Sequence, residues 1–72
     1  MAIEKVTLPV ARKIANLTQK KLAFAVGVSE STVINWEKGR SEPTVSQAKA
    51  IGEATGIPYD NIIFLTASTV KP

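Results

Sequence analysis

Apolar residues recur along the chain at three- and four-residue intervals, which is the spacing of amphipathic helices. No stretch alternates apolar and polar residues in the way that predicts a half-buried strand. The predicted inward-facing positions are Leu17, Leu22, Ala23, Val26, Val28, Val33, Val45, Ala48, Ile51, Gly52, Ile57, Ile62 and Ile63. The pattern therefore predicts an all-α fold.

Capping residues and turn residues divide this pattern into five short helices. Candidate N-caps are Thr7, Thr18, Ser29 and Thr44, and candidate helix ends are Asn16, Gly27, Gly39 and Gly56. The predicted helices are 8–15, 19–25, 30–38, 45–55 and 58–65, the last opened by Pro58. Residues 1–66 then form one domain, and residues 67–72 form a C-terminal tail without a helix signal.

The composition excludes most catalytic chemistry. The 72 residues contain no His and no Cys, which removes disulfides, Cys/His zinc sites and nucleophile systems that need either residue. The six acidic residues show no metal-binding spacing. We therefore expect no enzymatic activity, no catalytic residue, no metal, no cofactor and no small-molecule substrate.

The chain also lacks signals for a membrane or for secretion. No stretch approaches the roughly 18 uncharged apolar residues of a spanning helix. The N-terminal segment carries Glu4 and Lys5 instead of the apolar core of a signal peptide. We expect a cytoplasmic protein that does not bind a membrane.

Charge is distributed unevenly along the sequence. The formal net charge is +3; residues 1–40 carry seven basic and three acidic side chains, whereas residues 41–72 carry two basic and three acidic ones. A basic N-terminal half suggests a surface that faces a polyanion. A slightly basic solvated surface explains so small an excess about equally well.

The second and third predicted helices are separated only by the turn at residues 26–28, which contains Gly27. A helix, a tight glycine-containing turn and a second capped helix make the arrangement of a helix-turn-helix. In that motif the second helix presents small polar residues to base edges in the DNA major groove. The third predicted helix supplies such residues at its start and on its outer side, namely Ser29, Glu30, Ser31, Thr32 and Asn35.

A longer set of residues extends this motif. It comprises LTQKKLA at 17–23, GVS at 27–29, Thr32-Val33, WEKGR at 36–40, Pro43, Ile51, Gly56-Ile57, Asp60 and Ile62-Ile63. In these residues the chain resembles the Cro and lambda-repressor family of helix-turn-helix DNA-binding domains, over about residues 8–65. The resemblance implies a lambda-repressor-like fold and a sequence-specific transcriptional regulator of a double-stranded DNA operator. A Cro-like repressor of a phage or mobile-element switch is the form that we expect.

The resemblance also implies roles for individual residues. It places Glu30, Ser31 and Asn35 at base-reading positions, and the chemistry agrees, because Asn pairs with adenine and Glu accepts from cytosine. It places contacts to the DNA backbone at Gln19, Ser29, Thr32, Lys38, Arg40 and Thr44. It also implies that Gln19 braces the base-reading helix. Arg12 and Glu37 match a semi-buried ion pair between the first and third helices. Two alternatives stay open: Glu30 as a helix-dipole residue, and Ser31 and Thr32 as solvent-facing positions.

Phe24 and Ile34 depart from the family pattern, which usually has polar residues at both positions. Both point away from the core on a helical template. The favoured interpretation is that Phe24 lies against its neighbours and is only partly exposed. The alternative is a hydrophobic patch of Phe24 and Ile34 that binds a partner repressor, as in an antirepressor, or a toxin, as in an antitoxin.

A homodimer is expected from the mechanism, because one short reading surface confers little specificity and two of them read a palindrome. Candidates for the dimer contact are Ile63, Phe64, Leu65 and Val70, each of which is equally explained as core. Trp36 is interpreted as core, and Tyr59 as core or interface.

Overall fold

The computed structural model describes residues 5–64, which form a small helical domain with one short strand pair. Four α-helices span Leu8–Ile14 (α1), Gln19–Val26 (α2), Glu30–Glu37 (α3) and Val45–Thr55 (α4). Strand β1 (Val6–Thr7) precedes α1, and a 3-10 turn at Tyr59–Asn61 leads into strand β2 (Ile62–Ile63). Helices α2, α3 and α4 begin and end within one residue of the predicted bounds.

Side-chain caps start three of the helices, as predicted. The hydroxyl oxygens of Thr18 and Ser29 accept from the backbone N–H three residues later, at 3.0 and 3.2 Å. Thr44 and Gln47 form a reciprocal capping box at the start of α4, with bonds of 2.9 and 3.1 Å. Thr7 occupies the N-cap position of α1 in an extended conformation, but its side chain makes no capping bond.

Left-handed residues stop the helices where the sequence predicts. Gly27 ends α2 with φ 89°, and Gly56 ends α4 with φ 77°. Asn16, two residues past the end of α1, has φ 62° and is the non-glycine residue with positive φ among residues 5–64. These are conformations that glycine and asparagine adopt with little steric cost.

The predicted fifth helix, 58–65, is wrong. Its first part is the single 3-10 turn, and Ile62 and Ile63 are extended and pair in parallel with Val6 and Thr7. Two adjacent β-branched residues favour this extended backbone. Leu65, at the end of the predicted helix, lies outside the described residues, as do the tail 67–72 and Val70.

The core lies where all four helices meet the strand pair. Its buried members are Leu8, Ala11, Leu22, Ala23, Val33, Trp36, Ile51, Ile57 and Ile62. Leu17, Val26, Val28 and Phe64 are partly buried against this cluster. The prediction of Trp36 as core is therefore confirmed, at 3% exposure.

Two predicted core residues are exposed instead. Val45 is 68% exposed because the buried face of α4 runs through Ala48, Ile51 and Thr55, about a quarter turn away. Ile63 is 38% exposed because neighbouring residues of a strand point to opposite faces, and Ile62 takes the inner one. Tyr59, interpreted as core or interface, is at the surface.

The buried hydroxyl of Thr55 joins α4 to the turn that follows. Its Oγ1 donates to the carbonyl of Ile51 at 2.9 Å and accepts from the N–H of Ile57 at 3.3 Å. Gly52 allows the same turn to approach α4, since a Cβ there would lie 3.1 Å from the Ile57 carbonyl oxygen and from the Tyr59 nitrogen. Together these contacts place Ile57 in the core.

Candidate nucleic-acid interface

Helices α2 and α3 pack against each other through a tight turn. The backbone N–H groups of Gly27 and Val28 both donate to the carbonyl of Ala23, at 2.8 and 3.0 Å. The left-handed Gly27 allows the chain to reverse there, and the Ser29 cap starts α3 two residues later. Because the turn is short and its backbone is hydrogen-bonded to α2, the relative direction of the two helices is constrained.

Helix α3 buries one side and presents the other. Val33 and Trp36 are 0% and 3% exposed and anchor the helix in the core. At about 100° per residue, the side opposite these two carries Ser31, Ile34 and Asn35 and continues into Lys38 at the C-cap. We call these four residues the outer face of α3. Glu30 lies beside it in the first turn and is exposed.

A nearly buried ion pair holds α3 against the rest of the domain. Arg12 Nε on α1 donates to Glu37 Oε2 on α3 at 2.7 Å, and the two side chains are 12% and 7% exposed. Arg12 Nη2 donates to Glu37 Oε1 at 3.3 Å, and Arg12 Nη1 donates to the carbonyl of Leu17 at 2.9 Å. These bonds engage both ends of the guanidinium, which makes the pair directional.

Gln19 joins this ion pair from the start of α2. Its Nε2 donates to Glu37 Oε1 at 3.0 Å, so the one carboxylate binds side chains from α1 and α2. Gln19 therefore braces α3, which is one of the two roles that the resemblance implies for it. Its second implied role, a contact to the DNA backbone, stays a prediction.

The other residues predicted to contact the DNA backbone lie around the ends of α3 and at the start of α4. The Ser29 and Thr32 hydroxyls form a 2.9 Å bond with each other at the start of α3. Lys38 and Arg40 follow the end of α3 and are exposed. Thr44 is exposed at the start of α4. Helix N-termini and exposed cations are both groups that bind phosphate.

Phe24 does not lie against its neighbours; that interpretation is wrong. Its side chain is 89% exposed on the side of α2 opposite Leu22 and Ala23. Lys20 and Lys21, one turn earlier on the same side, are also exposed. Ile34 differs, since it is only partly exposed. The patch that the sequence suggests would therefore combine a highly exposed residue on α2 with a partly buried residue on α3.

Within residues 5–64, no group of three or more acidic, His or Cys side chains is placed to hold a metal ion. The same part of the chain contains no helix with the length and apolar character needed to cross a bilayer.

Helices α2 and α3 form a helix-turn-helix whose turn is held by backbone hydrogen bonds and whose second helix presents a largely polar side. This arrangement is characteristic of the DNA-binding domains built on that motif. The helix-turn-helix family model matches residues 10–62, and the chain belongs to this family, of the Cro and lambda-repressor type. Members of the family are domains of transcription regulators.

Two curated relatives resemble most of the chain. An uncharacterized HTH-type transcriptional regulator of Methanothermobacter thermautotrophicus is 43% identical over 54 residues, covering 75% of this chain and 78% of the relative. A second uncharacterized HTH-type transcriptional regulator, of Methanocaldococcus jannaschii, is 39% identical over 51 residues, covering 71% of this chain and 77% of the relative.

Proposed function

We propose that the protein is a sequence-specific transcriptional repressor that binds an operator through α3 in the major groove. The observation that carries the proposal is the exposed polar surface of α3 on a helix held by Val33, Trp36 and Glu37. Base reading needs such a helix, because side chains must be both exposed and rigidly positioned. Both curated relatives are named as HTH-type transcriptional regulators, which supports the same function.

Each base-reading residue has a distinct task in this proposal. Asn35, in the middle of the outer face, pairs with the N6 and N7 edge of adenine. Glu30 accepts from the N4 amino group of cytosine. The Ser31 hydroxyl can donate or accept, so it bonds base edges with less discrimination. Glu30 also discriminates by repulsion, because a carboxylate near phosphates weakens binding where no cytosine amine meets it.

Contacts to the DNA backbone set the register of α3 in the groove. Lys38 and Arg40 supply charge at one end of the helix, and the Ser29 and Thr32 hydroxyls lie at the other. Gln19 and the start of α4 at Thr44 complete the set of phosphate contacts. Repression then needs no covalent chemistry, because an occupied operator excludes polymerase or a competing regulator, as in a phage or mobile-element switch.

The proposal includes a homodimer. One α3 reads only a few base pairs, whereas two copies related by a two-fold axis read a palindrome with half-sites about one helical turn apart. Ile63, 38% exposed on β2, is the dimer candidate that the described residues leave at the surface. Phe64 packs against the core.

Selection from a random duplex library by the purified protein, at near-physiological salt, tests the function. A palindrome with half-sites about ten base pairs apart is the expected product. Failure to enrich any sequence, by protein shown to be folded by circular dichroism, would contradict sequence-specific DNA binding. Enrichment of a single non-repeated site would retain DNA binding and contradict the dimer.

Replacing Lys38 or Arg40 by Ala should weaken binding to all duplexes and make the affinity less dependent on salt concentration. Each lost phosphate contact reduces the slope of log affinity against log salt concentration by about 1, because fewer counterions are released. Fluorescence anisotropy titrations at several salt concentrations measure the slope. Lys49→Ala, at an exposed lysine on α4, is the control and should leave the slope unchanged. If the Lys38 and Arg40 variants show the same slope as the wild-type protein, neither residue contacts the DNA backbone.

The exposure of Phe24 favours a second candidate function, binding of a partner protein such as a repressor or a toxin. An 89% exposed phenylalanine contributes little to the fold and offers a large apolar anchor. Phe24→Ser should then abolish the interaction in a two-hybrid assay against repressors and toxins of the same genome. Ile14→Ser, at a 63% exposed isoleucine on α1, is the matched control and should retain it. An interaction that survives Phe24→Ser rules out this surface.

A further inference from the structure

Ile34 is an apolar residue within a polar surface. It follows Glu30 by four residues and Ser31 by three, and it precedes Lys38 by four. Residues at these separations are neighbours on a helix. Ile34 therefore lies among the side chains proposed to meet the bases.

Contact with the buried core does not account for an isoleucine at this position, although its side chain is partly buried. The core contacts of α3 are made by Val33 and Trp36. Among residues 5–64, the partly buried apolar side chains packed on the core are Val6, Leu17, Val26, Val28, Ala54 and Phe64, and Ile34 is not one of them. A β-branched residue also lowers helix propensity relative to a straight side chain.

The major groove offers an apolar group that suits such a side chain, the C5-methyl group of thymine. We propose that Ile34 contacts this methyl group, so that the operator requires thymine beside the bases read by Glu30 and Ser31. The inference rests on the proposed function, because it needs α3 in the major groove. It reassigns Ile34 from the Phe24 patch to the DNA-reading surface.

The position of the thymine follows from the geometry of α3. Adjacent residues of a helix project about 100° apart, so the side chains of Ile34 and Asn35 diverge. Glu30 and Ser31, four and three residues earlier, lie on the same side of the helix as Ile34. The thymine therefore belongs to, or lies next to, a base pair that Glu30 or Ser31 reads.

Deoxyuridine tests the contact, because it keeps every hydrogen-bonding group of thymidine and lacks only the methyl group. Each thymine of the selected duplex is replaced singly, and affinity is measured by fluorescence anisotropy. One replacement per half-site should weaken binding by the wild-type protein about fourfold, which corresponds to about 0.8 kcal/mol for one methyl-sized group. Ile34→Ser should bind the thymine and uracil duplexes equally.

Two comparisons make the result decisive. Val45→Ser, at a 68% exposed valine on α4, should keep the discrimination, and matching thermal unfolding curves show that Ile34→Ser is folded. If the wild-type protein binds every uracil duplex as tightly as the thymine duplex, the inference is wrong although DNA reading is retained. The inference is also wrong if the Ile34→Ser variant still binds the thymine duplex more tightly than the uracil duplex.

If the protein selects no duplex at all, the proposed function is contradicted, and with it the contact between Ile34 and thymine.

Discussion

Replacing Glu37 by Ala is expected to lower the free energy of unfolding by about 3–5 kcal/mol, the usual cost of leaving a buried partner charge unpaired. Arg12 Nε would lose its 2.7 Å acceptor while remaining mostly buried, and Gln19 Nε2 would lose its acceptor as well. The total stability of a small domain is only about 5–15 kcal/mol, so the loss is a large part of it. Urea unfolding followed by circular dichroism measures the change.

Two further variants separate the ion pair from a general effect of removing charge. Glu53→Ala, at an exposed carboxylate on α4, should change stability by less than about 0.5 kcal/mol. The double variant Arg12→Met, Glu37→Leu should recover most of the loss, because an apolar pair carries no desolvation penalty. A Glu37→Ala protein as stable as the Glu53→Ala control would show that the pair does not hold α3.

Replacing Asn35 by Ala is expected to weaken operator binding by about 1–3 kcal/mol per half-site, or about 5–150-fold, without lowering stability. Within residues 5–64 the side chain of Asn35 makes no hydrogen bond, and alanine is the better helix former. The preference for adenine at the contacted position should also relax, since its N6 and N7 groups would lose their partner.

Anisotropy titrations with the selected duplex, and with duplexes changed at the contacted base, measure both effects. A scrambled duplex is the control, because binding that depends only on phosphates should be the same for wild-type protein and variant. Unchanged affinity and unchanged base preference would remove Asn35 from the set of base-reading residues.

Local signals in the sequence predicted most of the helical framework. Thr18, Ser29 and Thr44 cap helices with bonds to residues three positions away, and Gly27 and Gly56 end them by their own backbone conformation. Each of these interactions lies within one turn of chain, so a short window of sequence contains it. The helix-turn-helix is built from such windows, which is why the central part of the candidate site was predictable.

Contacts between distant residues account for the errors. The strand pair joins Val6 to Ile62, and strands of two residues are too short to show alternation. Phe24 was expected to find packing partners because phenylalanine usually does, and its exposure depends on which neighbours the fold places beside it.

The separation of the two sides of α3 has a consequence for how such proteins diversify. The buried side and Glu37 hold the fold, whereas the side chains of Glu30, Ser31 and Asn35 take part in none of the side-chain hydrogen bonds found within residues 5–64. Glu30 and Ser31 are exposed and Asn35 is partly exposed, so substitutions at these positions should cost little stability. In the proposed function these three side chains read the operator. A duplicated gene can then acquire a new operator through a few point mutations while the scaffold is inherited unchanged, so that descendants with nearly identical interiors control different promoters.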